Sequence, residues 1–200
     1  FEIAEAYFKN AGVQSIFIST NGMFTERIKE FIDRFVVSKI KGKVIFSISI
    51  DNFEELHDKN RGITGLFKNA IQAFNLIMNY NHPNIAVNIG ITVAEHNYDN
   101  VVNLYHQLKK MDVKNVTATI WREEGIIKKI DFEVKAKILK AYFELTNLIH
   151  SGLLKKNTHR FKMPFYDAVF NSKNIILDQI IRDTYLKTKR SEEQPSERQS

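Results

Sequence analysis

Short apolar runs alternate along the chain with longer segments in which apolar residues recur at helical spacing. The runs predict four strands, over residues 13–19, 44–50, 85–93 and 116–120. The longer segments predict helices over residues 25–37, 65–80 and 100–111, the first with Thr25 as its N-cap. Strands separated by helices cannot pair as hairpins. We therefore predict an α/β fold with a largely parallel sheet and helices on its outside.

The two ends of the chain depart from this alternation. The first residue is Phe1 rather than Met, and the segment after it is typical of the latter part of an amphipathic helix. Beyond Gly125 the pattern is helical, with a stripe that we expect to end at Ser151 and Gly152. A second helical stretch is predicted over residues 164–188, and the last ten residues have no aliphatic or aromatic side chain to bury. The predicted organisation is a core over residues 1–125, a helical segment over 126–190 and a disordered tail over 191–200.

The composition is that of a chain that buries a core. Of the 200 residues 44% are hydrophobic and 26% charged, and 15 Phe and 7 Tyr supply large apolar surfaces. No apolar run approaches the ~20 residues of a membrane span, and the start lacks the features of a signal peptide. We expect a cytoplasmic protein without a membrane partner.

Basic residues outnumber acidic ones, 29 to 23, which gives a formal charge of +6. They are spread along the chain, as at Lys109-Lys110 and Lys155-Lys156, and this spread is typical of a solvated surface. The charge alone therefore does not favour a nucleic-acid partner, although an anionic partner remains the alternative reading.

Several chemistries find no residues to carry them. The chain has no cysteine, which excludes disulfides and thiolate-held metals within it. The histidines have no metal-ligand spacing, and neither a Gly-Lys-Ser/Thr phosphate loop nor a Gly-x-Ser-x-Gly serine elbow occurs.

Polar residues are concentrated where the first two predicted strands end, which is the edge where parallel sheets carry their chemistry. Thr20-Asn21-Gly22 follows the first strand, and Ser49-Ile50-Asp51 follows the second. A loop with the pattern His-Asp-x-x-Arg-Gly-x-x-Gly-x-Phe comes next, over residues 57–67. In this order and spacing, over roughly residues 1–125, the chain resembles the radical S-adenosylmethionine (SAM) enzymes, especially the subgroup with a SPASM or twitch extension.

The resemblance implies a partial TIM-type (β/α)6 barrel that holds SAM and a [4Fe–4S] cluster. This chain looks like the third to sixth βα units. The two units that it lacks carry the Cys-x-x-x-Cys-x-x-Cys cluster loop and the Gly-Gly-Glu-Pro segment in the family. We therefore expect an N-terminally truncated fragment, inactive by itself and without metal ligands of its own.

The function implied for the intact protein is that of a radical SAM enzyme. The cluster would cleave SAM reductively to a 5′-deoxyadenosyl radical, which abstracts hydrogen from a substrate, with a peptide or protein favoured by the subgroup. Ferredoxin or flavodoxin would supply the electron. The alternative is a non-catalytic binding or scaffold protein that keeps the half-barrel without the cluster.

The first two strand ends supply candidate cofactor contacts. At Thr20-Asn21-Gly22, the glycine removes a Cβ where backbone could approach a ligand, and Asn21 offers an amide donor and an acceptor. The alternative is a tight turn. Ser49 and Asp51 lie two apart, on one side of the strand, where they could bind ribose hydroxyls or the SAM ammonium. Their alternative role is to cap the following loop.

Arg61 is the candidate for the SAM carboxylate, because a planar guanidinium binds a carboxylate bidentately. Its alternative role is a surface salt bridge to Asp58 or Glu55. His57 and Asp58 are expected to have structural roles rather than catalytic ones. Gly65 and Phe67 are expected to start and anchor a helix.

The third and fourth predicted strands each have one polar side. Asn88 and Thr92 are candidate SAM or substrate contacts, with Gly90 making room for the nucleoside. A buried, hydrogen-bonded role for Asn88 is the alternative. On the fourth strand Thr117, Thr119 and Trp121 share a side, and the resemblance implies that Ile120 packs on adenine.

Overall fold

The computed structural model describes residues 1–121 and 130–157, with the side chains of residues 152–157 excepted. It divides the chain into two units, Phe1–Trp121 and Arg122–Ser200. The elements in chain order are α1 (Glu2–Asn10), β1 (Ser15–Thr20), α2 (Thr25–Ser38), β2 (Lys43–Ser49), α3 (Glu54–Arg61), α4 (Leu66–Asn79), β3 (Ile85–Val93), α5 (Val101–Lys110), β4 (Val116–Ile120) and α6 (Phe132–Asn157).

The four strands of the first unit form one parallel sheet in the order β1-β2-β3-β4. Neighbours in the sheet are also neighbours in sequence, and each pair is separated by helix, as a parallel crossover requires. The α/β class and the parallel sheet are therefore confirmed.

One face of the sheet is apolar and carries the core. Alternate residues of β2 and β3 and the residue after β2 are at most 2% exposed on this face: Val44, Phe46, Ile48, Ile50, Val87, Ile89, Ile91 and Val93. Helix α4 contacts both strands and also α2, and the Phe31 ring of α2 meets the Phe46 ring edge-on at 5.8 Å. Each such side chain contributes about 1.5–3 kcal/mol on burial, so this face holds the sheet and helices together.

The opposite face is polar, and we call it the polar face. Toward the C-terminal ends of the strands its half-buried or exposed residues are polar or glycine: Ser19, Ser47, Ser49, Asn88, Gly90, Thr92, Thr117 and Thr119. Nearer the N-terminal ends the same face carries Phe17, Ile45 and Ala86. Parallel sheets usually bury apolar residues on both faces, and their strands then have continuous apolar sequences. The alternation in β2 and β3 is instead that of a sheet whose second face meets water or a polar ligand.

Helix α3 was not predicted. Residues 54–61 lie between the second predicted strand and the predicted helix over 65–80, where the sequence predicts a loop. Acidic Glu54 and Glu55 lie in its first turn and basic Lys59 and Arg61 in its last, which complements the helix dipole. Gly62 ends it with a φ of 66°, a left-handed conformation that glycine adopts without strain. The helix is short and mostly polar, so it gives almost no apolar periodicity.

One predicted helix cap and one predicted helix end are also wrong, although the predicted start of α2 at residue 25 is confirmed. Thr25 is the first residue of α2 rather than its cap, and the preceding Phe24 makes no side-chain capping bond. Helix α6 does not stop at Ser151 and Gly152 but continues to Asn157. The Ser151 hydroxyl donates to the Leu148 carbonyl oxygen at 3.0 Å, so the serine is satisfied within the helix.

The predicted helix over 164–188 and the predicted tail over 191–200 lie outside the described residues, and so does the predicted boundary near residue 125. None of the helices in the described part of the chain combines the length and apolar character needed to cross a bilayer.

Candidate functional site

The ends of β2 and β3 meet at Asp51, which is 4% exposed. The Asp51 backbone N–H donates to His57 Nδ1 at 3.3 Å, and its carbonyl oxygen accepts from Asn97 Nδ2 at 2.8 Å. Its carboxylate accepts the Thr92 backbone N–H through Oδ1 at 3.1 Å and pairs with Arg61 Nη2 through Oδ2. We call these five residues the Asp51 cluster. Every hydrogen-bonding group of Asp51 is thus engaged by protein.

Arg61 is the last residue of α3 and the most exposed side chain of the cluster, at 38%. Its ion-pair partner is Asp51, rather than the Asp58 or Glu55 considered from the sequence. A guanidinium has five N–H donors, and the contact with Asp51 uses Nη2. The remaining donors can bind a carboxylate or a phosphate at the sheet edge.

His57 is fully buried within the cluster. Because Nδ1 accepts the Asp51 N–H, the neutral ring carries its proton on Nε2, which has no hydrogen-bond partner among the described residues. Burial lowers the pKa of His57, the positive charge of Arg61 lowers it further, and Asp51 acts in the opposite direction. The ring meets Phe67 edge-on at 6.2 Å. His57 therefore supports Asp51 from the interior.

Asp58 holds the start of α4. Its Oδ1 accepts the Phe67 N–H at 2.8 Å, and its Oδ2 accepts the Gly65 N–H. Gly65 is the N-cap, with a φ of 78°, and Phe67 is buried against the Phe53 ring at 4.9 Å. The expected roles of Gly65 and Phe67 as start and anchor of a helix agree with this geometry.

Thr20-Asn21-Gly22 forms a tight turn at the end of β1. The Thr20 hydroxyl accepts the Gly22 N–H, and Asn21 Oδ1 accepts the Met23 N–H, both at 3.1 Å. A Cβ on Gly22 would lie 2.7 Å from the Ala70 Cα, so the close approach that the glycine permits here is to α4. The Asn21 side-chain amide stays available as a donor at the strand end.

Side chains on the polar face hydrogen-bond across the strands. Asn88 Nδ2 donates to Thr117 Oγ1 at 2.7 Å and to Ser47 Oγ at 3.4 Å, and the Thr92 and Thr119 hydroxyls lie 3.3 Å apart. Asn88 is therefore hydrogen-bonded, as in the alternative reading, but half-exposed rather than buried. The face presents amide and hydroxyl groups in fixed positions.

The remaining candidate ligand contacts from the sequence, Ser49, Gly90 and Ile120, lie in three different environments. Ser49 is in register with Gly90, and its half-buried hydroxyl makes no hydrogen bond with the described residues. A Cβ on Gly90 would lie 2.9 Å from Ser47 Oγ, so the glycine keeps this part of the polar face open. Ile120 is in register with Val93 on the apolar face and is 9% exposed.

Asn97 was missed by the sequence analysis. It is fully buried, its Oδ1 accepts the Ala94 N–H at 2.7 Å, and its Nδ2 donates to the Asp51 and Thr92 carbonyl oxygens at 2.8 Å each. In the sequence it is one of several polar residues between β3 and α5, and only its closeness to a strand end marks it.

Among the described residues, no group of three or more His, Asp or Glu side chains could hold a metal ion. An apolar cleft of about 490 Å³ lies among α1, β1 and α2, and its walls offer almost no polar groups. The cleft is lined by Phe1, Ile3, Ala4, Tyr7, Val13, Ile16, Ile18 and Phe31.

No family model matches the chain, and no curated protein matches it significantly. Among solved structures, the chain is similar to native anSMEcpe with bound AdoMet and Cp18Cys peptide, at 19% identity and a TM-score of 0.51, over 78% of this chain and 43% of that one. Native anSMEcpe with bound AdoMet, and with bound AdoMet and Kp18Cys peptide, each align at 20% identity and a TM-score of 0.48, over 70% of this chain and 38% of theirs. The chain spans less than half the length of these proteins, and the likeness concerns the fold.

Proposed function

We propose that this chain binds SAM and is the SAM-binding part of a radical SAM enzyme. The observation that carries the proposal is the Arg61 guanidinium, which is half-exposed at the C-terminal edge of the sheet and oriented by a buried carboxylate. The order of the strand-end motifs supports it. So does the fold likeness to anSMEcpe, whose solved structure contains AdoMet.

Arg61 is suited to the carboxylate of SAM. A guanidinium that is already paired on one nitrogen has lost part of its rotational freedom, so less entropy is lost when a ligand binds. Both Asp51 oxygens contact protein groups, so in this proposal Asp51 acts by orienting Arg61. The remaining N–H donors of Arg61 then face a planar carboxylate in the two-pronged geometry that favours arginine.

The polar face would contact the rest of the ligand. The Ser49 hydroxyl and the Asn21 amide are candidate partners of the ribose hydroxyls, and Asn88 lies further along the same face. Gly90 leaves room beside Ser49 for a flat group such as the nucleoside. Thr20 and Gly22 would border the ligand through the turn that holds Asn21.

A [4Fe–4S] cluster does not fit the residues of this chain. Such clusters are held by thiolates, and none of the 200 residues is cysteine. In our proposal the cluster ligands, the contact with an electron donor and the radical chemistry belong to parts of the intact enzyme other than these residues. A peptide or protein substrate is supported by the peptide present in the matched anSMEcpe structure. The lack of cysteine also favours the second candidate, a scaffold without catalytic activity.

The test is the affinity of the chain for SAM, measured by calorimetry on wild type, Arg61→Ala and Arg61→Lys. Hydrogen bonds to charged groups are worth about 1.5–3 kcal/mol, so Arg61→Ala should bind SAM about 10- to 100-fold more weakly. Arg61→Lys should recover part of the loss, because an ammonium keeps the charge but not the planar fork.

Lys59→Ala is the matched control, because Lys59 is an exposed cation on the same helix, two residues away. Its affinity should equal that of wild type. Unchanged affinity in Arg61→Ala would refute the assignment, and an equal loss in Lys59→Ala would reduce it to a general charge effect. A wild-type chain that does not bind SAM would favour the scaffold.

A further inference from the structure

We propose that Asn97 is a positioning residue for the Asp51–Arg61 pair. It ties the loop after β2 to the end of β3, and this tie fixes the carboxylate that orients Arg61. The link to SAM rests on the proposed function, but the structural tie can be measured without it.

Asn97 is built into the interior rather than into a surface turn. It is fully buried, and both Nδ2 hydrogens and Oδ1 are used in bonds of 2.7–2.8 Å. All three partners are backbone atoms, of Asp51, Thr92 and Ala94, and Asp51 lies 46 residues away in the sequence. A long-range bond of this kind fixes two strand-end loops against each other.

Asp51, Thr92 and Asn97 form a closed ring in which each residue bonds to the other two. The Thr92 N–H donates to the Asp51 carboxylate, and the Thr92 and Asp51 carbonyl oxygens both accept from Asn97. Without Asn97, the ring opens, and the buried Asp51 carbonyl oxygen and the part-buried Thr92 carbonyl oxygen lose this partner. The carboxylate keeps its two partners, the Thr92 N–H and Arg61, but the Asp51 backbone that carries it is then held by side chains only through its N–H to His57, so the direction in which it holds Arg61 is less firmly fixed.

A second contact joins the same two loops without reaching Asp51 and supplies a matched control. Asn52 Nδ2 donates to the His96 carbonyl oxygen at 3.3 Å, and Asn100 Nδ2 donates to Asn52 Oδ1 at 3.1 Å. Asn100→Ala therefore weakens the connection between the loops while leaving the ring intact.

The first measurement is SAM affinity by calorimetry, for Asn97→Ala in the wild-type and Arg61→Ala backgrounds. If Asn97 acts through Arg61, the substitution weakens binding about tenfold in the first background and less than about twofold in the second, since coupled residues are not additive. Asn100→Ala stays within about twofold of wild type. Equal losses from Asn97→Ala in the two backgrounds would overturn the proposal, because a general loss of structure affects both alike.

The second measurement is hydrogen exchange at the Thr92 amide, whose acceptor is the Asp51 carboxylate. We expect at least about tenfold faster exchange in Asn97→Ala than in wild type or Asn100→Ala, with the Ile89 amide of β3 unchanged as the reference for global opening. An unchanged exchange rate at the Thr92 amide would overturn the proposal that Asn97 fixes the loop after β2 against the end of β3.

The two measurements separate this inference from the proposed function. If wild type does not bind SAM, the proposed function fails and the exchange at Thr92 alone decides the role of Asn97. If Asn97→Ala does not fold, both measurements are made on Asn97→Ser, which keeps one hydroxyl in place of the amide and is expected to show the same pattern.

Discussion

The turn at Gly22 allows a prediction that separates packing from backbone strain. Gly22 has a φ of +75°, and a Cβ there would lie 2.7 Å from the Ala70 Cα and 3.3 Å from both the Ala70 Cβ and the Ile48 Cγ2. Carbon atoms in contact are normally about 3.5–4.0 Å apart. The nearest atom belongs to the backbone of α4, so no change of rotamer can relieve the clash.

The expected cost of Gly22→Ala has two parts. A left-handed φ costs a residue with a Cβ about 1–2 kcal/mol. Overpacking against a well-packed interior costs about 1–3 kcal/mol more. We therefore expect the free energy of unfolding, measured by urea denaturation, to fall by about 2–5 kcal/mol. Its dependence on urea concentration, the m-value, should stay the same.

Gly62→Ala provides the matched control. Gly62 has a nearly equal φ of +66°, but a Cβ there would meet no atom within 4 Å. It should lose only the backbone part, about 1–2 kcal/mol. If the two substitutions lower the free energy of unfolding equally, the packing of the strand-end turn against α4 contributes nothing and the reasoning is wrong.

Three further predictions concern the buried histidine, the cap of α4 and iron. Burial lowers the pKa of His57 below its ordinary 6.5, so on acidification the unfolded state takes up the proton first, and the stability that His57 contributes is complete above about pH 6.5 and lost as the pH falls below it. His57→Gln should therefore flatten the plot of the free energy of unfolding, measured in urea, against pH between about pH 7.5 and 5. Parallel plots for wild type and variant would contradict this. Asp58→Ala should lower the free energy of unfolding by about 0.5–2 kcal/mol through loss of the cap, whereas the exposed Asp99→Ala should change it little; equal effects would argue against the capping role. Anaerobic treatment with iron and sulfide should leave no stable broad absorbance after desalting, and retention of about four irons per chain would show a cluster held without thiolates.

The strands were the most predictable part of the fold. The bounds of β3 and β4 agree with the prediction, because runs of β-branched residues are enclosed there by polar loops. Helix α3 was missed because its only strong helical signals are charges and a final glycine, which loops share. The Ser151-Gly152 pair predicts an earlier end for α6 than the structure shows, because an otherwise favourable helix tolerates both residues.

The location of the candidate site could be predicted from the sequence, but the partners of its side chains could not. Polar residues at successive strand ends must share one edge of a parallel sheet, so the neighbourhood of Asp51 and Thr92 follows from the order of elements. The pairing of Arg61 with Asp51 depends on the direction of α3, which the sequence did not even identify as a helix. Asn97 was beyond prediction because its three partners are backbone atoms, which leave no complementary side chain in the sequence.

Most contacts within the Asp51 cluster involve backbone atoms, and this has a consequence for how its positions can vary in evolution. His57 and Asn97 bind the main chain of Asp51, and Thr92 reaches its carboxylate through a backbone N–H. Among the described residues, only Arg61 meets the Asp51 side chain with a side chain of its own. In homologous sequences, positions 51 and 61 should therefore vary together, the bond to Asp51 should not restrict which side chain stands at position 92, and position 97 should stay asparagine whatever its neighbours become.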